Sequence, residues 1–275
     1  MGLFGPKRPL DADELEWQLA AFQWLIDEFG GYAEHQSTIL ANPAGEYFPD
    51  STLTGHARAE QLLDEVKALA GIADWPTRLV PYASPRAGGQ FSAYIHTVPL
   101  DDASAGTFQL VEDGQGGWLA EIRYDFGGLS DQAGLVATFA HELAHYRLSQ
   151  CRKSIPGGEE LHELLTDLAA VKMGFGLFLA NSAHNYQARQ LETGGHSWQT
   201  KRQGYLSERA LVTALVISEF LADRDPIDAR PFLKPYLAQD LDLACKWFAR
   251  RDVKLDVESI DLADFGVHLL VGAGS

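Results

Sequence analysis

Apolar residues recur three and four positions apart in several long stretches of the chain and alternate with polar residues in shorter ones. The first spacing predicts helices, and alternation bounded by glycine and proline predicts β-strands. The helical stretches cover more of the chain than the strand candidates, which are short and precede the third helix. We therefore expect a mainly helical α+β protein with a small mixed sheet. The predicted helices are 11–29, 56–70, 130–145, 159–171 (continued into the core by the apolar run 174–180), 207–221 and 231–250, and the predicted strands are 77–82, 91–98, 107–111 and 118–124.

The composition of the chain gives no clear domain boundary. The 275 residues are enough for one large core, and no flexible linker interrupts them. We therefore expect a single domain over 1–275. Residues 1–85 could form a helical N-terminal subdomain within it, which would leave 86–275 as the part that carries the candidate chemistry.

The charge of the chain narrows the classes of partner. With 38 acidic and 22 basic side chains the formal net charge is −16, whereas nucleic-acid binding needs a basic face. Peptides and small molecules remain open as ligands. The first nine residues lack the apolar run of a secretory signal, and no apolar run is long enough to span a bilayer, so we expect a cytoplasmic protein without a membrane span. Cys151 and Cys245 give no disulfide framework.

The string His141-Glu142-Leu143-Ala144-His145 is an HExxH motif inside the third predicted helix. Helical residues four apart lie one above the other, so both imidazoles can bind one metal ion. Glu142 is turned by about a hundred degrees from His141. That offset keeps it off the metal but close to a metal-bound water, where a general base is needed.

The next helical segment offers a third ligand, which a catalytic zinc ion requires. Its residues His162-Glu163-Leu164-Leu165-Thr166-Asp167 resemble the N-E-x-x-[ST]-D element of the thermolysin-like zinc peptidases, the gluzincins. The resemblance covers about 130–171 and implies a zincin-like fold. It also implies that Glu163 binds the metal and that Asp167 hydrogen-bonds the far nitrogen of His141.

Helical geometry agrees with this assignment, because Glu163 and Asp167 lie four apart on one face and a ligating histidine usually donates its second N–H to a carboxylate. Thr166 would support the same network. The chain departs from the family pattern at His162, where the family usually has Asn. Other ligands stay open, namely Glu159, Glu160, His162 or Asp167 itself.

A second zinc pattern, HExxHxxGxxH, does not fit, because Leu148 and Cys151 stand at its Gly and third His positions. The gluzincin resemblance implies one Zn²⁺ per chain and hydrolysis of a peptide or protein substrate by a zinc-bound water that Glu142 activates. In that family an edge strand of the small sheet holds an extended substrate. A downstream Tyr or His stabilises the oxyanion, and the candidates here are His184, Tyr186, His196 and Tyr205.

Two other hypotheses remain at this stage. The chain could be a gluzincin-like regulatory or interaction module that binds zinc without peptidase activity, although zinc binding alone does not need Glu142. The motif could also be a coincidence within two ordinary core helices.

Overall fold

Helices and one small sheet make up the described parts of the computed structural model, which are residues 6–82, 106–191 and 206–270. The α+β class with a small mixed sheet is confirmed. One strand candidate, 91–98, lies outside the described residues.

In the described residues before the sheet, the helices are α1 (Ala12–Glu28), α2 (Gly31–Ser37) and α3 (Gly55–Leu69). The side chain of Asp11 caps α1 by accepting a hydrogen bond from a first-turn N–H. The predicted helices at 11–29 and 56–70 are confirmed within two residues. Helix α2 was not predicted, because it is too short to show an apolar period.

The sheet consists of β1 (Thr77–Tyr82), β2 (Gly106–Glu112) and β3 (Trp118–Asp125). β3 lies in the centre, parallel to β1 and antiparallel to β2. Alternate residues of β3 (Ala120, Ile122) are fully buried on one face, which is the pattern of a half-buried strand. The strands predicted at 77–82, 107–111 and 118–124 are confirmed.

The helices after the sheet carry the candidate chemistry: α4 (Gln132–Leu148), α5 (His162–Ala170) and α6 (Gly176–Leu191). The prediction that 174–180 continues the helix of Glu163 is wrong. Gly174 has a φ of 98°, and a Cβ at this position would collide with a backbone oxygen of the α2–α3 connection. The helical path therefore breaks at Gly174, and the buried apolar run belongs to α6.

The helices in the described range 206–270 are α7 (Glu208–Leu221), α8 (Pro235–Phe248) and α9 (Val253–Glu258). Ser207 caps α7 by accepting a hydrogen bond from a first-turn N–H, and the helix predicted over 207–221 is confirmed within one residue. The single helix predicted over 231–250 is wrong at its start. A separate 3₁₀ segment ends at Phe232, and the extended backbone before Pro235 prevents helix from running through.

Helix α4 is fixed at its C-terminal end by Arg147. The Arg147 guanidinium donates hydrogen bonds to the backbone oxygens of Phe29 (3.2 Å) and Ala70 (3.3 Å). These two residues are the C-caps of α1 and α3. A cation is favourable at such ends because the last carbonyls of a helix lack partners. One cluster of buried side chains extends from Leu10 to Val257, so the described residues up to 82 and those from 106 onward share a core. No helix in the described ranges is long and apolar enough to cross a membrane.

Candidate metal centre

Helix α4 presents the HExxH residues from a segment that is buried over most of its length. Asp131 caps its start by accepting from Gly134 N at 2.9 Å. His141 and His145 lie one turn apart, and their ring centroids are 4.8 Å from each other. Glu142, between them in sequence, is only 4% exposed. Its carboxylate has no hydrogen-bond donor among the described residues.

Helix α5 brings Glu163 to the two histidines. The Nε2 atoms of His141 and His145 are 3.1 Å apart. Glu163 Oε2 lies 3.3 Å from the first and 3.6 Å from the second. Three atoms from two helices thus form a small triangle. The side chain of Glu163 is 43% exposed, so solvent reaches the site at this residue.

The triangle has the dimensions of a tetrahedral zinc site. Ligand atoms about 2.0–2.2 Å from a tetrahedral zinc ion lie roughly 3.3–3.6 Å from one another. The three observed distances, 3.1, 3.3 and 3.6 Å, are close to that range. Two imidazoles and one carboxylate also suit zinc better than magnesium or calcium, which prefer oxygen ligands throughout. The three residues could therefore hold a metal ion.

Hydrogen bonds orient both imidazoles so that Nε2 points into the triangle. His141 Nδ1 is 3.0 Å from Asp167 Oδ1, and since a carboxylate can only accept, Nδ1 carries the proton. The other oxygen of Asp167 accepts from Leu206 N at 2.8 Å. His145 Nδ1 is 3.4 Å from Thr166 Oγ1, whose hydroxyl already donates to a backbone oxygen. Nδ1 of His145 is therefore the donor there, so that when each ring is neutral its Nε2 lone pair faces the cluster.

The pKa values of His141, His145 and Glu163 are shifted by burial and by the contacts among these groups. Burial lowers the pKa of His141, but its contacts with Asp167 and Glu163 outweigh that effect and raise the pKa to about 10. Burial is also the main cause that lowers the pKa of His145. For Glu163, burial raises the pKa, but its interactions with His141, His145 and His162 outweigh that effect and hold the pKa far below its usual range. The cluster therefore attracts a cation.

Burial acts in the opposite direction on Glu142. It raises the pKa of this carboxyl to about 7, with a smaller lowering effect from His141 and a smaller raising effect from Glu163. A carboxyl with a pKa near neutrality can both accept and return a proton, as a general base must.

The other ligands that the sequence left open do not join the triangle. Within the described ranges the only group of donors that could hold a metal is His141, His145 and Glu163. Glu159 and Glu160 are exposed in the turn before α5, and Asp167 points at His141 Nδ1.

The four oxyanion candidates are not placed. His184 and Tyr186 lie on α6, but their side chains are outside the described structure, and His196 and Tyr205 lie outside the described residues altogether.

Sequence reasoning missed two ring contacts at the site. Phe108 of β2 and His162 of α5 both lie parallel to the ring of His145. The strand pattern around 107–111 could assign Phe108 to a face of the sheet, but no local signal connects it with α4.

Comparison with known proteins does not assign the chain to a family, since no family model, curated protein or solved structure matches it.

Proposed function

We propose that this protein is a zinc-dependent peptidase of the gluzincin type, with one Zn²⁺ held by His141, His145 and Glu163. The proposal rests on the triangle of two imidazole nitrogens and one carboxylate oxygen. Beside it, on the helix of the two histidines, lies the buried carboxylate of Glu142, which is not part of the triangle. Zinc binding alone explains the triangle, whereas a general base explains why Glu142 is there.

Bound zinc would lower the pKa of a coordinated water and polarise the carbonyl of the bond to be cleaved. The protein would supply the remaining steps. Glu142 accepts a proton from the attacking water and returns it to the leaving amine nitrogen. Asp167 would keep His141 in the neutral tautomer that turns the Nε2 lone pair to the metal, and its carboxylate would make that ring a more basic ligand.

Strand β2 is the part of the sheet suited to hold an extended peptide. Phe108 on this strand lies beside His145, so β2 runs past the metal ligands. β3 occupies one edge of β2, and no other described strand pairs with its outer edge. Peptide binding by strand addition needs such an edge, because its main-chain groups supply the hydrogen bonds.

The test of this proposal pairs zinc content with hydrolysis. Purified wild-type protein should contain about one zinc per chain, and Glu163→Ala should lose most of it. Glu142→Gln should retain zinc, because the change is nearly isosteric, but should lose about 10²–10⁴-fold in turnover of the best substrate found in a peptide library. Glu60→Gln on the exposed surface of α3 is the matched control and should behave as wild type.

Three results would contradict the proposal in different ways. Unchanged zinc in Glu163→Ala would remove Glu163 from the ligand set. Equal turnover in wild type and Glu142→Gln would place the activity elsewhere. A wild type that binds zinc but cleaves no peptide in a broad library would indicate a zinc-binding interaction module.

A further inference from the structure

The two ligand histidines are held in different ways. The ring of His141 is fixed by a carboxylate, with Asp167 Oδ1 3.0 Å from Nδ1, and its side chain is 7% exposed. At His145, Nδ1 faces the Thr166 hydroxyl at the longer distance of 3.4 Å, and the side chain is 15% exposed. A neutral hydroxyl at this distance restrains a ring less than a carboxylate does. His145 therefore needs another restraint to present a fixed Nε2.

Two rings lie parallel to His145 and can provide that restraint. The centroid of His162, the first residue of α5, is 5.2 Å from that of His145, with an angle of 15° between the planes. Phe108 lies 6.2 Å away at 8°. Offset parallel rings at such distances attract each other and oppose rotation of either ring about its side-chain bonds.

We infer that His162 is a positioning residue, which orients the imidazole of His145 by ring stacking and so does for this ligand what Asp167 does for His141. The inference rests on the proposed metal centre. It also gives a reason for the departure from the gluzincin pattern, since the Asn usual at this position has no ring. Phe108 acts on the same imidazole from the sheet.

A hydrogen bond from His162 does not account for its place in the site. Its Nδ1 is 4.0 Å from Glu163 Oε1, beyond hydrogen-bonding distance. The side chain is 35% exposed, so it is not held there by burial. His162 thus has two contacts in the site, its approach to the Glu163 carboxylate and the contact between the two ring faces, and a ring without nitrogen should preserve only the second.

The experiment measures zinc release from the full-length protein. Each variant is loaded with zinc, and the rate of zinc loss to an excess of chelator is followed. His162→Asn should release zinc about tenfold faster than wild type, the lower end of what loss of a supporting residue usually costs. His162→Phe should restore a rate near wild type, because phenylalanine keeps the ring. Phe108→Leu should also release zinc faster.

His56→Asn is the matched control. His56 has the same side-chain exposure, 35%, and also lies parallel to a neighbouring ring, that of Tyr124 at 5°. It is not part of the metal cluster, so its replacement should leave zinc release unchanged. Cobalt-loaded samples give a second readout, since a reoriented His145 should change the visible absorption of bound Co²⁺ in His162→Asn but not in His56→Asn.

Each failure has a distinct signature. Wild type that binds no zinc would overturn the metal centre itself. Zinc release from His162→Asn at the wild-type rate would overturn the inference and leave the metal centre standing. Release from His162→Phe as fast as from His162→Asn would show that the nitrogens of His162 matter and not the ring. If His162→Asn does not fold, as judged by circular dichroism, His162→Phe and Phe108→Leu decide the question.

Discussion

Replacing Asp167 by asparagine tests how the protein fixes the protonation of His141, one of the proposed metal ligands. Asp167 is 3% exposed, and its two oxygens face two donors, His141 Nδ1 and Leu206 N. Asparagine has almost the same shape but offers one acceptor and one donor. It cannot serve both neighbours as Asp167 does.

Both orientations of the new amide have a cost. If its oxygen stays on Leu206 N, its NH₂ faces His141 Nδ1, which must give up its proton, and the proton then moves to the nitrogen that should bind zinc. If its oxygen stays on His141, its NH₂ meets the N–H of Leu206 at the 2.8 Å distance of the present bond. A mismatched buried donor costs about 1–3 kcal/mol. At about 1.4 kcal/mol per factor of ten, zinc should bind roughly ten- to a hundredfold more weakly.

The assay is competition for zinc between the protein and a chromogenic chelator at neutral pH. Asp242→Asn is the control, because this carboxylate pairs with Arg230 on the surface and has no role at the metal. A dissociation constant for Asp167→Asn within twofold of wild type would refute the tautomer argument. Complete loss of zinc in a folded Asp167→Asn protein would refute it too, since Asp167 would then be a ligand.

Two further predictions concern the fold around the site. Burial, and after it the charge of Lys172, lowers the pKa of His35 from 6.5 to about 4. The stability that neutral His35 contributes is thus complete above pH 6.5 and falls by roughly 3 kcal/mol as the pH drops to 4. The free energy of unfolding of His35→Gln, measured with urea, should therefore depend less on pH than that of wild type. An equal dependence on pH in both proteins would contradict this. Gly174→Ala should lower the free energy of unfolding by roughly 2–4 kcal/mol, because of the positive φ and the collision of the new Cβ with Ile39 O. Gly71 also has a positive φ, but no atom lies near the position of its Cβ. Gly71→Ala should therefore lower the free energy of unfolding by less in the same urea titration.

The features that the sequence predicted are those with local causes. Asp11 and Ser207 cap their own helices, and the strand at 77–82 follows a proline, so these signals lie within a few residues of what they determine. The triangle of the candidate site depends on two helical spacings, His141 to His145 and Glu163 to Asp167, and on a turn long enough to bring the helices together. The first spacing could be found without any knowledge of the fold, whereas the resemblance to the gluzincins pointed to the second.

The features that the sequence did not predict depend on distant residues. The helical path breaks at Gly174 because that glycine packs against the backbone of Ile39, and Gly174 O accepts a hydrogen bond from Ala41 N at 2.9 Å. Phe108 reaches His145 because β2 pairs antiparallel with β3 and lies along α4. Periodicity along the chain carries no information about such contacts.

The position of Glu142 is the strongest argument for catalysis over zinc binding alone. A carboxylate that is 4% exposed, with no hydrogen-bond donor among the described residues, is costly to keep charged, and its pKa of about 7 expresses that cost. A cation bound at the triangle would lower this pKa and make the carboxylate available near neutral pH. A protein that only stored or sensed zinc would gain stability by replacing Glu142 with an apolar residue. Glu142→Leu should therefore unfold at a higher urea concentration than wild type while it keeps zinc and loses hydrolysis, and an unchanged or lower urea midpoint would show that Glu142 serves the fold.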